Sequence, residues 1–284
     1  MRLITWNIQW GLGVDGRVDL ARIVETARGL GDFDVLCLQE VTRNYPGLKG
    51  NDGGDQFAAL ARLLPGFHAI DGIAVDRYTD GVGRQQFGNM ILTRLAPLAV
   101  LRHQLPQPAD PQSATMPRLA LEAVLAAPGG PLRVTTTHLE YYSALHRAAQ
   151  IERLRQLQAE AAGHAALPPR PERVGTPFEV RPRNARAILT GDFNCAADDA
   201  LIARVQAPLD GGAPAYCDAW TLLHPDRPHA PTVGLYDIEQ WQGRRLCFDF
   251  IFVSADLAPR AQRIVVDDAT DASDHQPVLL EIDA

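Results

Sequence analysis

Apolar residues in this chain follow two rhythms. Short, nearly unbroken runs bounded by turn residues predict strands at 3–9, 67–75, 88–92, 97–104, 119–125, 132–137, 188–190, 246–253, 263–266 and 277–282. The run DVLCL at 34–38 is almost wholly apolar, as in a strand covered on both faces. Spacings of three and four predict helices instead. Val18, Ile23, Val24 and Ala27 share a face within 17–30, and 54–64 has helical spacing stopped by Pro65-Gly66. The longest helix spans 145–162, with Leu145, Ala148, Ile151, Leu154 and Leu157 on one side. Residues 198–205 form a shorter helix that starts at Asp198-Asp199. The strands at 119–125 and 132–137 face each other across Pro128-Gly129-Gly130. Residues 76–86 are polar and glycine-bearing and 109–116 contain prolines, so both read as loops.

The stretch 167–186 is rich in proline and arginine. It reads as a surface insertion, because the strand after it resumes the helix-then-strand order before it. The whole of 1–284 therefore reads as one α/β layered domain. The chain is long enough for a sizeable core, and 46% hydrophobic residues argue against disorder. A formal net charge of −7 gives no bulk electrostatic grip on nucleic acid. It leaves room for a local basic groove, or for a metal that neutralises phosphate. Cys37, Cys195, Cys217 and Cys247 form no C-x-x-C pair, so neither structural zinc nor a disulfide framework is indicated. Reduced, buried thiols favour a cytoplasmic protein. No secretory leader pattern precedes the first strand, no apolar stretch is long enough to cross a bilayer, and no obligate protein partner is evident.

The chemistry concentrates at ILTGDFNC, residues 188–195. Asp192 and Asn194 lie one residue apart where a buried strand should end, and an extended backbone throws both to one side. A carboxylate there can take a proton or face a metal, while a carboxamide can donate to an oxyanion. Taken alone, Gly-Asp is an ordinary turn. Equally bland readings cover the other candidates singly: Asn7 a strand-end amide, Glu40 a solvated carboxylate, His138 a structural histidine, Asp274-His275 a turn. Asp249 differs, since a carboxylate between Phe248 and Phe250 demands a partner whatever its role. Considered together they weigh more. Asn7, Glu40, His138, Asp192, Asn194, Asp249 and His275 all fall at or beside strand ends, where a sheet holds functional groups rigidly.

With TWNIQW around Asn7, LQE ending in Glu40, GNMILTR from Gly88, TTHLE around His138, GDFN, DAW at Asp218, FDFIFVS around Asp249 and SDHQPV around His275, the chain resembles the endonuclease/exonuclease/phosphatase superfamily of metal-dependent phosphoesterases. The pieces occur in the family's order over almost the whole chain, and THLE leans toward its deoxyribonuclease and neutral sphingomyelinase branches. The resemblance implies a four-layer α/β/β/α sandwich of two packed mixed sheets, with a Mg²⁺ or Mn²⁺ site at one edge. It implies metal ligation by Glu40 and Asn7, with Asp274 at a second metal position. Asp192 is implied to orient or deprotonate water, Asn194 to bind the phosphoryl oxygen, His138 to face the phosphate or leaving oxygen, and His275 to pair with Asp249. Asp192 and His275 both stay open as the base. Two features depart from the family. Phe250 stands where a tyrosine is usual, and no counterpart of the repair enzymes' aromatic pocket or helical wedge is visible.

The implied activity is divalent-metal-dependent hydrolysis of a phosphodiester, small or lipid-like, by water attack. One alternative is a nuclease acting on DNA or RNA; its basic groove would have to come from Arg170, Arg173, Arg181, Arg183 and Arg186. Another is a catalytically silent binding member, against which the retained Glu40, Asp192, Asn194 and His275 argue. Arg84, in the 76–86 loop, is the candidate substrate-phosphate contact, with Tyr78 weaker. Arg147 and Gln150 read as a solvated helix face, His68, His103, His164, His224 and His229 as surface residues, and Trp220 and Trp241 as packing residues.

Overall fold

The computed structural model describes residues 1–168, 170–179, 183–238 and 240–284. In chain order the elements are β1 (Arg2–Asn7), α1 (Leu20–Gly29), β2 (Val35–Arg43), α2 (Gln56–Leu63), β3 (His68–Thr79), β4 (Gly83–Thr93), β5 (Pro97–Gln104), β6 (Leu119–Ala127), β7 (Gly130–His138) and α3 (Ala144–Ala165). They continue with β8 (Ala187–Asp192), α4 (Ala200–Gln206), β9 (Tyr216–Asp218), α5 (Ala219–Leu223), β10 (Asp249–Ser254), β11 (Ala261–Val266) and β12 (Val278–Ile282). The strands make two six-stranded sheets, ordered β11-β12-β1-β2-β4-β3 and β5-β6-β7-β8-β10-β9. Each is mixed: β1–β2 and β7–β8 are parallel, and the remaining pairs antiparallel.

Strand periodicity explains the four layers. In β1 and β2, Leu3, Val35 and Cys37 face the second sheet, where they meet Leu121, Val134, Ile188 and Ile251. Their neighbours Ile4, Leu36 and Leu38 turn outward onto Ile23 and Val24 of α1 and Leu60 of α2. On the far side, Leu189, Phe250 and Phe252 pack under Ile151, Leu154 and Leu157 of α3 and Ile202 of α4. DVLCL is apolar throughout because it is covered twice. The long helices begin where side chains cap them: Asp19 accepts from Arg22 N at 3.0 Å, Asp55 from Ala58 N at 3.0 Å and Ser143 from His146 N at 3.2 Å.

Three expectations need correction. Residues 76–86 are not a loop but the outer halves of β3 and β4, paired from Asp76↔Gln86 to Thr79↔Gly83. Much of this ribbon is wet, so it carries no apolar signal. The buried side of α3 includes His146, Gln150, Arg155 and Gln158, while Leu145 is exposed. Those polar groups satisfy loop and helix-end carbonyls: Arg155 donates to Arg204 and Ala207, and Gln158 to Ala185 and Pro214. Finally, β2 runs on past Glu40 to Arg43.

In the 167–186 stretch, residues 171–178 are exposed and hold one helical turn, Pro171–Arg173; Arg181 lies outside the described residues. Arg183 pairs with buried Glu122 at 3.2 Å, and Arg186 donates to the Gly129 carbonyl. Burial alone would raise the Glu122 pKa, but His103, Arg133 and Arg183 outweigh it and bring it down to about 2. Both arginines precede β8, whose first residue, Ala187, lies roughly 17 Å along the strand from Asp192 at about 3.3 Å per residue. They build no groove beside the candidate site.

Candidate active site

One edge of the sandwich collects the polar residues from both sheets. Asn7 ends β1, His138 ends β7 and Asp192 ends β8. Asp249 opens β10, where it pairs with Asp192 in register, and His275 lies just ahead of β12. Because β10 and β12 run antiparallel to β8 and β1, their first residues meet the others' last. The edge is therefore built from strand beginnings as well as ends.

Glu40 arrives by a different device. Leu38 pairs with Met90 and Val41 with Gly88, so Gln39 and Glu40 together oppose Asn89. This is a β-bulge, with Glu40 at φ 62°. Regular alternation would put Glu40 on the helix side with Leu36 and Leu38. The bulge re-aims it, and its Oε1 accepts from Asn7 Nδ2 at 3.1 Å. Gln39 stays between the sheets and bridges Thr5 and Thr136.

Asp192 is the hub. Its Oδ2 accepts from Asn7 Nδ2 at 3.0 Å and lies 3.5 Å from His138 Nε2 and 3.7 Å from His275 Nε2. Its Oδ1 accepts from the Asn194 amide at 2.9 Å. Asn194 does not extend the strand as its spacing suggested: it turns to φ 50°, and its Nδ2 donates to the Leu139 carbonyl at 2.9 Å. His275 Nδ1 meets Asp249 Oδ2 at 2.8 Å. Asp274 accepts from Gln240 Nε2 at 2.8 Å. Arg84 stands apart on the β3–β4 ribbon, bound to Asp76 at 2.6 and 2.8 Å and half exposed.

Burial dominates the electrostatics. It raises the Glu40 carboxyl to about 7, helped by the Asp274 charge, and Asp192 to about 6 against the pull of His275. Asp274 is raised for the same reason. Burial lowers His138 well below the ordinary histidine value, aided by Arg118 and His275, so it is neutral. Burial would lower His275 too, but Asp249, Asp274 and Asp192 outweigh it and hold it well above that value, as an imidazolium. Metal-free Asp249→Asn should therefore shift the His275 NMR titration to lower pH; an unchanged midpoint would deny the carboxylate this role. The linkage has a sign: a raised folded pKa stabilises the fold below the unfolded value, and that stability fades as pH rises through the folded one.

A divalent cation fits this donor set. Asp192, Asp249 and Asp274 are buried carboxylates at one edge, with the partly exposed Glu40 beside them, and their crowding is what a bound cation relieves. Glu40 and Asp274 offer hard oxygens. Asn7 would join through Oδ1, which here accepts from Gln9 N at 3.1 Å. Asp192, Asp249 and His275 also offer atoms within 4.8 Å of one another. Their closeness reflects the His275–Asp249 hydrogen bond.

Several supporting residues escaped the sequence. Thr232 Oγ1 accepts from Asp249 N, Ser273 Oγ donates to the Asn7 carbonyl, and Trp6 Nε1 donates to the His275 carbonyl. Ser273 and Trp6 were visible as motif neighbours; Thr232 carried no signal. Buried Arg118 pairs with Glu140 at 3.2 Å, and Gln150, expected on a wet face, is buried and accepts from Glu140 N. His229, expected at the surface, bonds Asp218 at 2.5 Å.

Residues 4–275 match the Endonuclease/Exonuclease/phosphatase family. The chain belongs to that family. Comparison with curated proteins finds no sequence match. Among solved structures, an endonuclease/exonuclease/phosphatase from Beutenbergia cavernae is 23% identical with a TM-score of 0.68, covering 99% of this chain and 70% of that one. A mannosyl-6-phosphatase from Bacteroides thetaiotaomicron is 18% identical at TM-score 0.67, covering 99% of both chains. A 3′ phosphatase from Neisseria, bound to product DNA hairpin, is 20% identical at TM-score 0.60, covering 100% of both. At these identities the likeness shows the fold, and members of the family are hydrolases acting on phosphoesters. Among the described residues, no helix is long and apolar enough to cross a membrane.

Proposed function

We propose that this protein is a divalent-metal-dependent phosphoester hydrolase that cleaves a small phosphodiester by water attack. The observation carrying this reading is the Asp192 carboxylate, reached by Asn7 from the first sheet and flanked by His138 and His275. Asp192 takes the proton of the attacking water; a buried carboxyl near 6 is a competent base at neutral pH. His275, held cationic by Asp249, donates from Nε2 to a phosphoryl oxygen, which makes it a poor second base. Neutral His138 donates to the phosphate or the leaving oxygen. Asn194, with one amide hydrogen spent on Leu139, offers the other to the oxyanion. Glu40, Asn7 and Asp274 would hold Mg²⁺ or Mn²⁺, which when bound supplies charge neutralisation on the phosphate.

The nuclease reading draws on the Neisseria neighbour, whose structure holds DNA. Against it, Arg183 and Arg186 are spent at the opposite end of β8. The test is a panel of aryl phosphodiester, sphingomyelin, phosphoinositide and DNA hairpin, assayed with purified protein and Mg²⁺ or Mn²⁺. The aryl diester should turn over, stop on chelation, and be lost in folded His275→Ala. Turnover that survives in His275→Ala, or no turnover of any substrate, overturns the proposal. Faster cleavage of the hairpin than of the aryl diester moves the assignment to a nuclease.

A further inference from the structure

Aromatic rings line one flank of the site. The Trp241 ring lies 5.9 Å from that of His275 and 5.3 Å from Phe248. Tyr141 stands edge-on to Trp241 at 6.5 Å and to Tyr142 at 4.9 Å. Tyr141 and Tyr142 follow His138 closely in the chain, so the flank runs from one site histidine to the other. The two tyrosines are 45% and 71% exposed.

Scattered exposed aromatics mean little, but this segment is tied down. Arg147 Nη1 donates to the Glu140 carbonyl at 2.9 Å and to the Tyr141 carbonyl at 2.5 Å. Glu140 Oε1 accepts from Tyr142 N at 3.0 Å, and Ser143 Oγ donates to Asp110 at 2.5 Å. The backbone around the two rings is fixed while the rings face solvent, the condition of a preorganised binding surface. Trp241 adds an independent observation. It is only 8% exposed, and its buried indole N–H has no acceptor among the described residues. A buried indole N–H ordinarily has one.

We propose that Tyr141, Tyr142 and Trp241 form a subsite for a planar aromatic group carried by the phosphoester, and that a nucleobase is the chemistry it takes. This deepens the phosphoesterase reading and rests on it. A base offers a π-face to the tyrosines and ring nitrogens or carbonyls to the indole N–H. An alkyl chain offers no acceptor, and a sugar or inositol no π-face. Stacking also needs no basic groove, in keeping with the net charge of −7.

The test measures binding by calorimetry in the presence of Mg²⁺, using adenosine 5′-monophosphate, ribose 5-phosphate and hexyl phosphate. The wild-type protein should bind the nucleotide about tenfold or more tightly than ribose 5-phosphate. Tyr141→Leu with Tyr142→Leu should erase that advantage and leave ribose 5-phosphate unaffected; the paired Phe substitutions should keep it. Trp241→Phe, which preserves the ring packing, should lose part of it. Equal binding of the two phosphates in wild type, an advantage that survives the Leu pair, or preference for hexyl phosphate overturns the subsite. A dinucleotide arm separates the sources: tighter binding than the mononucleotide assigns the base to the unpaired end of a strand, equal binding to a free nucleotide, and each supports the subsite. Turnover is not required, so a protein that binds the base but hydrolyses no ester keeps the subsite and loses the phosphoesterase reading.

Discussion

Asp192→Asn is expected to lower kcat/KM for an aryl phosphodiester by about 10³-fold while leaving the metal-free fold at least as stable at neutral pH. The loss follows because asparagine cannot take a proton from water, although its shape is nearly unchanged. The stability follows from linkage. The folded-state carboxyl titrates at about 6 against an ordinary 3.8, so above pH 6 the buried anion opposes folding. Neutralising it removes a penalty of at most about 3 kcal/mol. The net gain should be nearer 1 kcal/mol, because the new amide meets the Asn7 Nδ2 that now donates to the carboxylate. Denaturant unfolding at pH 7.5, beside initial rates, reads both. Rates within tenfold of wild type, or a marked loss of stability, would remove Asp192 from its assigned place.

Gly191→Ala is expected to fail in the opposite way, losing structure first. Gly191 sits at φ 135°, and an added Cβ would lie 1.9 Å from the Thr137 carbonyl oxygen of the paired strand β7. Neither backbone can yield without breaking the parallel ladder that places His138 opposite Asp192. The expected loss is about 3–5 kcal/mol, the range reserved for strain and overpacking inside a core. Urea unfolding measures it. A variant with the wild-type midpoint would mean that the ladder here is softer than its geometry implies.

The sandwich and most of its edge were legible because the signals were local. DVLCL and ILT are apolar on both faces, and Asp249 between two phenylalanines announces a partner. What stayed hidden depends on neighbours distant in sequence. The Glu40 bulge exists only relative to β4, since two residues oppose Asn89. The β3–β4 ribbon is polar because it leaves the sandwich for water. Gln150 and Gln158 look solvated until the loops whose backbone they satisfy are in place. Trp241 sits in an irregular segment with no periodicity, held where Gly234, at φ 78°, comes too close to the Arg244 carbonyl for any side chain. Arg84 was chosen for a loop that is a strand, and its guanidinium is taken by Asp76.

Asn7, Glu40 and His275 ride on one sheet, and His138, Asp192 and Asp249 on the other. Among the described residues no strand ladder joins the two; the filling of Leu3, Cys37, Leu121, Val134, Ile188 and Ile251, with cross-sheet bonds such as Gln39 to Thr136, sets their separation. That apolar layer is thus the gauge block of the catalytic edge. A methyl group removed from it, far from any phosphate, changes the gap across which Asn7 reaches Asp192, so the hydrocarbon interior takes part in the alignment that the chemistry uses.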